Sequence, residues 1–160
     1  MKHAAVLLFT VLFFAGVAEA LPIRPAPDFT WKDAYGKLQT LKSLEGKPVV
    51  IVISSNVKDW RFRLQMWEIN GIYERLAAMG AVFVMAFTDQ PGRVPSNIPF
   101  IVASDGPRVG YLYNITKGNG IAIISKDGNL DYVTNRILLG RRILDVIQNT
   151  QVTQEQMRRD

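Results

Sequence analysis

Inside the body of the chain, Val49-Val50-Ile51-Val52-Ile53 is an uninterrupted β-branched run of the kind that forms a strand buried on both faces. Ala81 to Phe87 repeats that signature. Between the two runs the spacing turns helical. From Asp59 to Met79, Trp60, Leu64 and Trp67 fall on one stripe and Ile69, Ile72, Tyr73 and Leu76 on another, with Gly80 as the stop. Strand–helix–strand in this order predicts a parallel crossover. Upstream, the prolines of Leu21 to Pro27 predict an extended lead-in, and Phe29-Thr30-Trp31 and Leu38 to Leu41 predict two short strands around Gly36. Downstream, a loop from Thr88 to Pro99 leads into Phe100-Ile101-Val102, and a short helix is expected over Arg108 to Tyr113. Ile121 to Ile124 and Leu130 to Val133 flank Lys126-Asp127-Gly128-Asn129, which predicts an antiparallel hairpin. A final amphipathic helix is expected over Arg141 to Gln148, with Ile143, Leu144 and Ile147 inward.

The ends of the chain read differently. Met1-Lys2-His3 is a short basic start, Ala4 to Val17 runs without a charge, and Ala18-Glu19-Ala20 offers a small-residue cleavage pattern. Roughly 20 apolar residues are needed to span a bilayer, and Glu19 interrupts this run early. The expectation is a signal peptide over 1–20, a domain over 21–150, and a polar tail over 151–160 that frays. The exported protein is then periplasmic or extracellular; retention of the apolar run as an anchor is the alternative.

Composition removes much of the usual catalytic repertoire. The chain has 160 residues, 48% of them apolar and 21% charged, as suits a globular domain. It contains no cysteine, which excludes disulfides, thiolate nucleophiles and cysteine-ligated metals. The single histidine, His3, lies in the segment read as a signal. No catalytic, cofactor-binding or metal-binding residue is assigned, and no cofactor is expected. The net charge of +5 comes from Lys and Arg spread along the chain without a basic run, which argues against nucleic acid as a partner. Contact with an acidic membrane surface stays open.

Several segments carry a resemblance, in order along the chain. Ala26-Pro27-Asp28-Phe29 is similar to the A-P-D-F segment of peroxiredoxins and of periplasmic thiol–disulfide reductases. Leu41 to Val50 resembles their L-x-x-L-x-G-K-x-V-V segment, and Arg63-Leu64-Gln65-Met66-Trp67-Glu68-Ile69-Asn70 resembles the R-x-E-x-P-x-L-N stretch after their active site. Ser104-Asp105-Gly106 with Tyr111 to Ile115, and Ile123-Ile124-Ser125-Lys126-Asp127-Gly128, resemble two further family segments. The chain thus resembles the peroxiredoxin/redoxin and thiol–disulfide reductase branch of the thioredoxin-like superfamily, as a cysteine-less member. The resemblance implies an α/β, thioredoxin-like fold with a central mixed β-sheet flanked by helices.

The same register shows where the family chemistry is missing. Counted back from Arg63, the C-x-x-C positions fall on Asp59 and Phe62; counted back from Gly128, the family's cis-proline falls on Asn119. Asp59 is expected to cap the helix. Trp67, on a helical stripe, reads as core, whereas Trp60 is the best candidate for an exposed contact. Asp59, Trp60, Arg61, Phe62 and Asn119 are therefore candidate contacts for a protein partner at the former active-site mouth, with Lys58 and Lys117 beside it. The function expected is a non-catalytic binding or accessory module. The alternative is a redoxin-family antioxidant or thiol–disulfide enzyme working with a partner's thiol or without thiols.

Overall fold

The computed structural model describes residues 24–157; the expected signal segment lies outside them. Seven strands, β1 (Thr30–Lys32), β2 (Leu38–Thr40), β3 (Val49–Ser54), β4 (Val82–Phe87), β5 (Phe100–Val102), β6 (Asn119–Ile124) and β7 (Leu130–Thr134), alternate with four α-helices. The helices are α1 (Trp60–Asn70), α2 (Tyr73–Ala78), α3 (Gly106–Leu112) and α4 (Gly140–Met157). Five strands form one sheet in the order β5-β4-β3-β6-β7. β3 runs parallel to β4, β4 parallel to β5, and β6 antiparallel to both β3 and β7, so the sheet is mixed.

The apolar pattern explains the layering. Every residue of β3 is buried because the strand is central and covered on both sides. Val50 and Val52 join Phe83, Met85, Ile121 and Ile123 on the face packed by Phe62 and Ile69 of α1, Leu76 of α2, and Ile143, Leu144 and Ile147 of α4. Val49, Ile51 and Ile53 join Val84, Ala122 and Ile124 on the other face, against Val109 of α3, Tyr113, and the Phe29–Trp31 and Leu41–Leu44 segments. Trp31 is core, at 5% exposure. Gly106 lets α3 sit tightly on the sheet, since a Cβ there would lie 1.9 Å from the Phe87 carbonyl oxygen.

The Asp28 carboxylate explains the Ala-Pro-Asp-Phe segment structurally: Oδ1 accepts from the N–H groups of Phe29 at 3.0 Å and Leu41 at 2.9 Å. It ties the lead-in to the turn after β2. Tyr113 locks the same corner from just past α3, its hydroxyl donating to the Pro27 carbonyl at 2.8 Å. Burial, reinforced by the Asp28 charge, raises the ionisation of that phenol well above its ordinary value.

Two expectations about helices need correction. The single helix expected over Asp59 to Met79 is broken at Gly71 and Ile72, because Ile72 leaves helical geometry at φ −122° and ψ 3°. The break re-aims the chain so that Leu76 still reaches the core that Ile69 occupies. The last helix does not stop near Gln148 but continues as α4 through Met157, taking up most of the expected tail.

Candidate functional site

α1 starts where the register places the former active site. Asp59 caps it, as expected: Oδ1 accepts from the Arg61 N–H at 2.8 Å, and the Ser55 hydroxyl lies 3.4 Å from Oδ2. The cap keeps this carboxylate at the helix N-terminus, where free N–H groups favour negative charge. Trp60 follows at 58% exposure, with the Arg61 guanidinium 5.5 Å from its ring centroid. Asn56, Lys58, Asp59, Trp60, Arg61 and Arg63 line a shallow, open depression there.

The Lys117–Gly120 loop closes the site from the other side. The Ser55 N–H donates to the Gly118 carbonyl at 3.0 Å, and Asn119 pairs in register with Ser54 at the end of β3. Gly118 adopts φ +80°, a conformation suited to glycine, and a Cβ there would lie 3.4 Å from an Arg61 guanidinium nitrogen. There is no cis peptide bond among the described residues, so Asn119 is trans. The fold therefore brings together the two segments singled out from the sequence, Asp59 to Arg61 on one side and Gly118-Asn119 on the other.

Two of the candidate contacts are not at the surface. Phe62 is 1% exposed and packs with Phe87 at 5.9 Å between centroids, because it lies on the core face of α1. Asn119 is 2% exposed, on the same sheet face as Ile121 and Ile123. Neither its Oδ1 nor its Nδ2 has a hydrogen-bond partner. Gln65 shows how a buried amide in this fold is normally satisfied. Its Nε2 donates to the Leu138 carbonyl at 2.9 Å and its Oε1 accepts from the Leu138 N–H at 2.8 Å.

Trp67 is the clearest departure from the sequence reading. Expected in the core, it is 69% exposed and continues the outer face of α1 from Trp60 and Leu64. The helix had two apolar stripes to offer, and Phe62 and Ile69 on the opposite face won the core. Periodicity alone carries no sign of which stripe faces inward. Among the described residues, no group of three or more His, Cys, Asp or Glu side chains is placed to hold a metal ion.

No protein-family model matches the sequence, and no curated protein matches it significantly. Solved structures do match. The thioredoxin domain of a thiol-disulfide oxidoreductase from Bacteroides vulgatus superposes with a TM-score of 0.61 at 16% identity, over 82% of this chain and 99% of that one. Thioredoxin peroxidase I of Plasmodium yoelii gives 0.62 at 13% identity, over 85% of this chain and 92% of that one. An exposed lipoprotein thioredoxin of Streptococcus pneumoniae gives 0.56 at 15% identity, over 77% and 99%.

Proposed function

The chain has the thioredoxin-like fold, carried by a sequence that contains no cysteine, and we propose that it acts as an exported, non-catalytic binding or accessory module. Thiol–disulfide turnover needs a group that cycles between oxidation states, and this sequence offers no thiol for that task. What the former mouth retains is a recognition surface of Asp59, Trp60 and Arg61, with Asn119 behind it. The observation that carries the reading is the Asn119 amide, buried at the mouth with both polar atoms unpaired. Leaving such a group unsatisfied costs about 1–3 kcal/mol, and an apolar residue would fit the same strand position without that cost. A residue that stability disfavours, seated at the functional end of a fold, is where a binding role is expected. Export is proposed from the basic start, the uncharged run and the Ala18-Glu19-Ala20 pattern.

The test is turnover. Purified protein should consume peroxide and reduce insulin no faster than a protein-free blank. Turnover above that blank by the full chain would replace the binding reading with a thiol-free enzyme.

A further inference from the structure

The outer face of α1 bears Trp60, Leu64 and Trp67 at intervals of four and three residues, so they line one strip along the helix. Their exposures are 58%, 39% and 69%, whereas Trp31 is 5% exposed. Single exposed apolar residues are ordinary; two tryptophans and a leucine in one helical seam form a continuous apolar strip. On one flank, Arg63, Met66 and Asn70 face Val94, Pro95 and Asn97 across a groove of ≈ 400 Å³ that reaches Phe62. On the other flank lie Arg61 and Gly118.

The charges around this strip are one-sided. Lys58, Arg61 and Arg63 are exposed at its N-terminal half. The acids of this helix and its cap are engaged within the chain: Asp59 caps α1, and Glu68 Oε2 accepts from the Gly140 N–H at 2.8 Å at the start of α4. The N-terminal end of the helix dipole adds to the positive field.

We propose that this strip and its groove dock an acidic amphipathic helix of a protein partner. Its apolar face lies along Trp60, Leu64 and Trp67, one bulky side chain enters the groove beside Met66 and Val94, and its carboxylates face Lys58, Arg61 and Arg63. A concave groove is matched by a protruding side chain, which a bilayer surface does not present. A second copy of this chain would bring its own Arg61 and Arg63 against the same cations. The proposal rests on the accessory-binding reading for the existence of a protein partner. Turnover would overturn that reading while leaving the binding measurement below unaffected.

The probes are a synthetic helical peptide with leucine and phenylalanine at heptad spacing and glutamate elsewhere, the matched peptide with lysine for glutamate, and phosphatidylglycerol–phosphatidylcholine vesicles. Full-chain protein should bind the glutamate peptide saturably, with blue-shifted tryptophan emission and protection of Trp60 and Trp67 from acrylamide over a constant Trp31 background. Trp67→Ala should weaken binding of the labelled peptide about thirtyfold at an unchanged melting temperature. Arg61→Glu with Arg63→Glu should transfer the preference to the lysine peptide, a result that loss of folding cannot mimic. Equal affinity for both peptides, no saturable binding of either, tryptophan protection by vesicles alone, or a concentration-dependent dimer that shields the tryptophans would each overturn the proposal.

Discussion

Two buried amides on the same side of the sheet make opposite predictions. Gln65 closes a pair of hydrogen bonds with Leu138, so Gln65→Leu strands a backbone N–H and a carbonyl. The expected loss is about 1–3 kcal/mol for each group left unpaired. The Asn119 side chain makes no hydrogen bond, so Asn119→Leu exchanges an unsatisfied amide for an apolar side chain of similar shape. It should raise the melting temperature, by the equivalent of about 1–3 kcal/mol, in the same thermal scan. A fall with Asn119→Leu would mean that the amide is satisfied in solution and would remove the observation behind the functional reading. Adjacent aromatic residues divide in the same way. Trp60→Ala should leave melting nearly unchanged, because the ring is largely in water. Phe62→Ala, two residues on, should cost about 3–5 kcal/mol.

At the scale of elements, α1 is held at both ends by carboxylates placed on helix N-termini. Asp59 caps α1 itself, and Glu68 near its C-terminal end reaches the first N–H of α4. Gln65 adds the third tie, to the segment just before α4. The geometry of the cap predicts how a thiol would behave there. In Asp59→Cys, the sulfur sits where the carboxylate accepts the Arg61 N–H, so its pKa should fall below the ordinary value of about 8.5. A thiol titration with an alkylating reagent measures this directly. An ordinary or raised value would show that residue 59 does not feel the helix terminus, and the register that aligns Asp59 with a catalytic cysteine would be wrong. Adding Phe62→Cys to build a disulfide removes a core phenyl ring, so the single substitution is the cleaner experiment.

For the whole molecule, a pH dependence of stability is expected far from the mouth, where the β6–β7 hairpin meets the end of α4. The Ser125 hydroxyl lies within hydrogen-bond distance of carboxylate oxygens of both Asp127 and Asp131. A single O–H can donate to only one of them. Burial works against the charge of Asp127, yet Ser125 and Asn129 together hold its carboxyl below the ordinary range. Desolvation is the largest influence at Asp131 and, with the neighbouring Asp127 charge, outweighs the hydrogen bonds from Thr150 and Ser125, so its value is raised. The signs follow. Asp127 contributes stability above its ordinary pKa, lost as pH falls through its lowered folded value. The charge of Asp131 costs stability above its raised folded value, and protonation relieves that cost as pH falls toward the ordinary carboxylate range. Asp131→Asn should therefore melt higher than the parent at pH 7, with the difference shrinking toward pH 4. A difference independent of pH would show that Asp131 does not carry the titration.

The sequence by itself determined the central strands, the parallel crossover between two of them and the helix cap at Asp59. Long β-branched runs have one stable placement, in the middle of a covered sheet, and Asp before a helical pattern has one common role, the cap. Those inferences depend on neighbours close along the chain. What only the tertiary structure decided was the sign of each face and the pairing of each buried polar group. Trp60, Leu64 and Trp67 form as good an apolar stripe as Phe62 and Ile69, and packing against β4, β6 and α4 selected the latter for the core. Gln65 and Asn119 carry the same functional group. Their different fates depend on whether a segment distant in sequence, Leu138 for one and none for the other, arrives within hydrogen-bond reach.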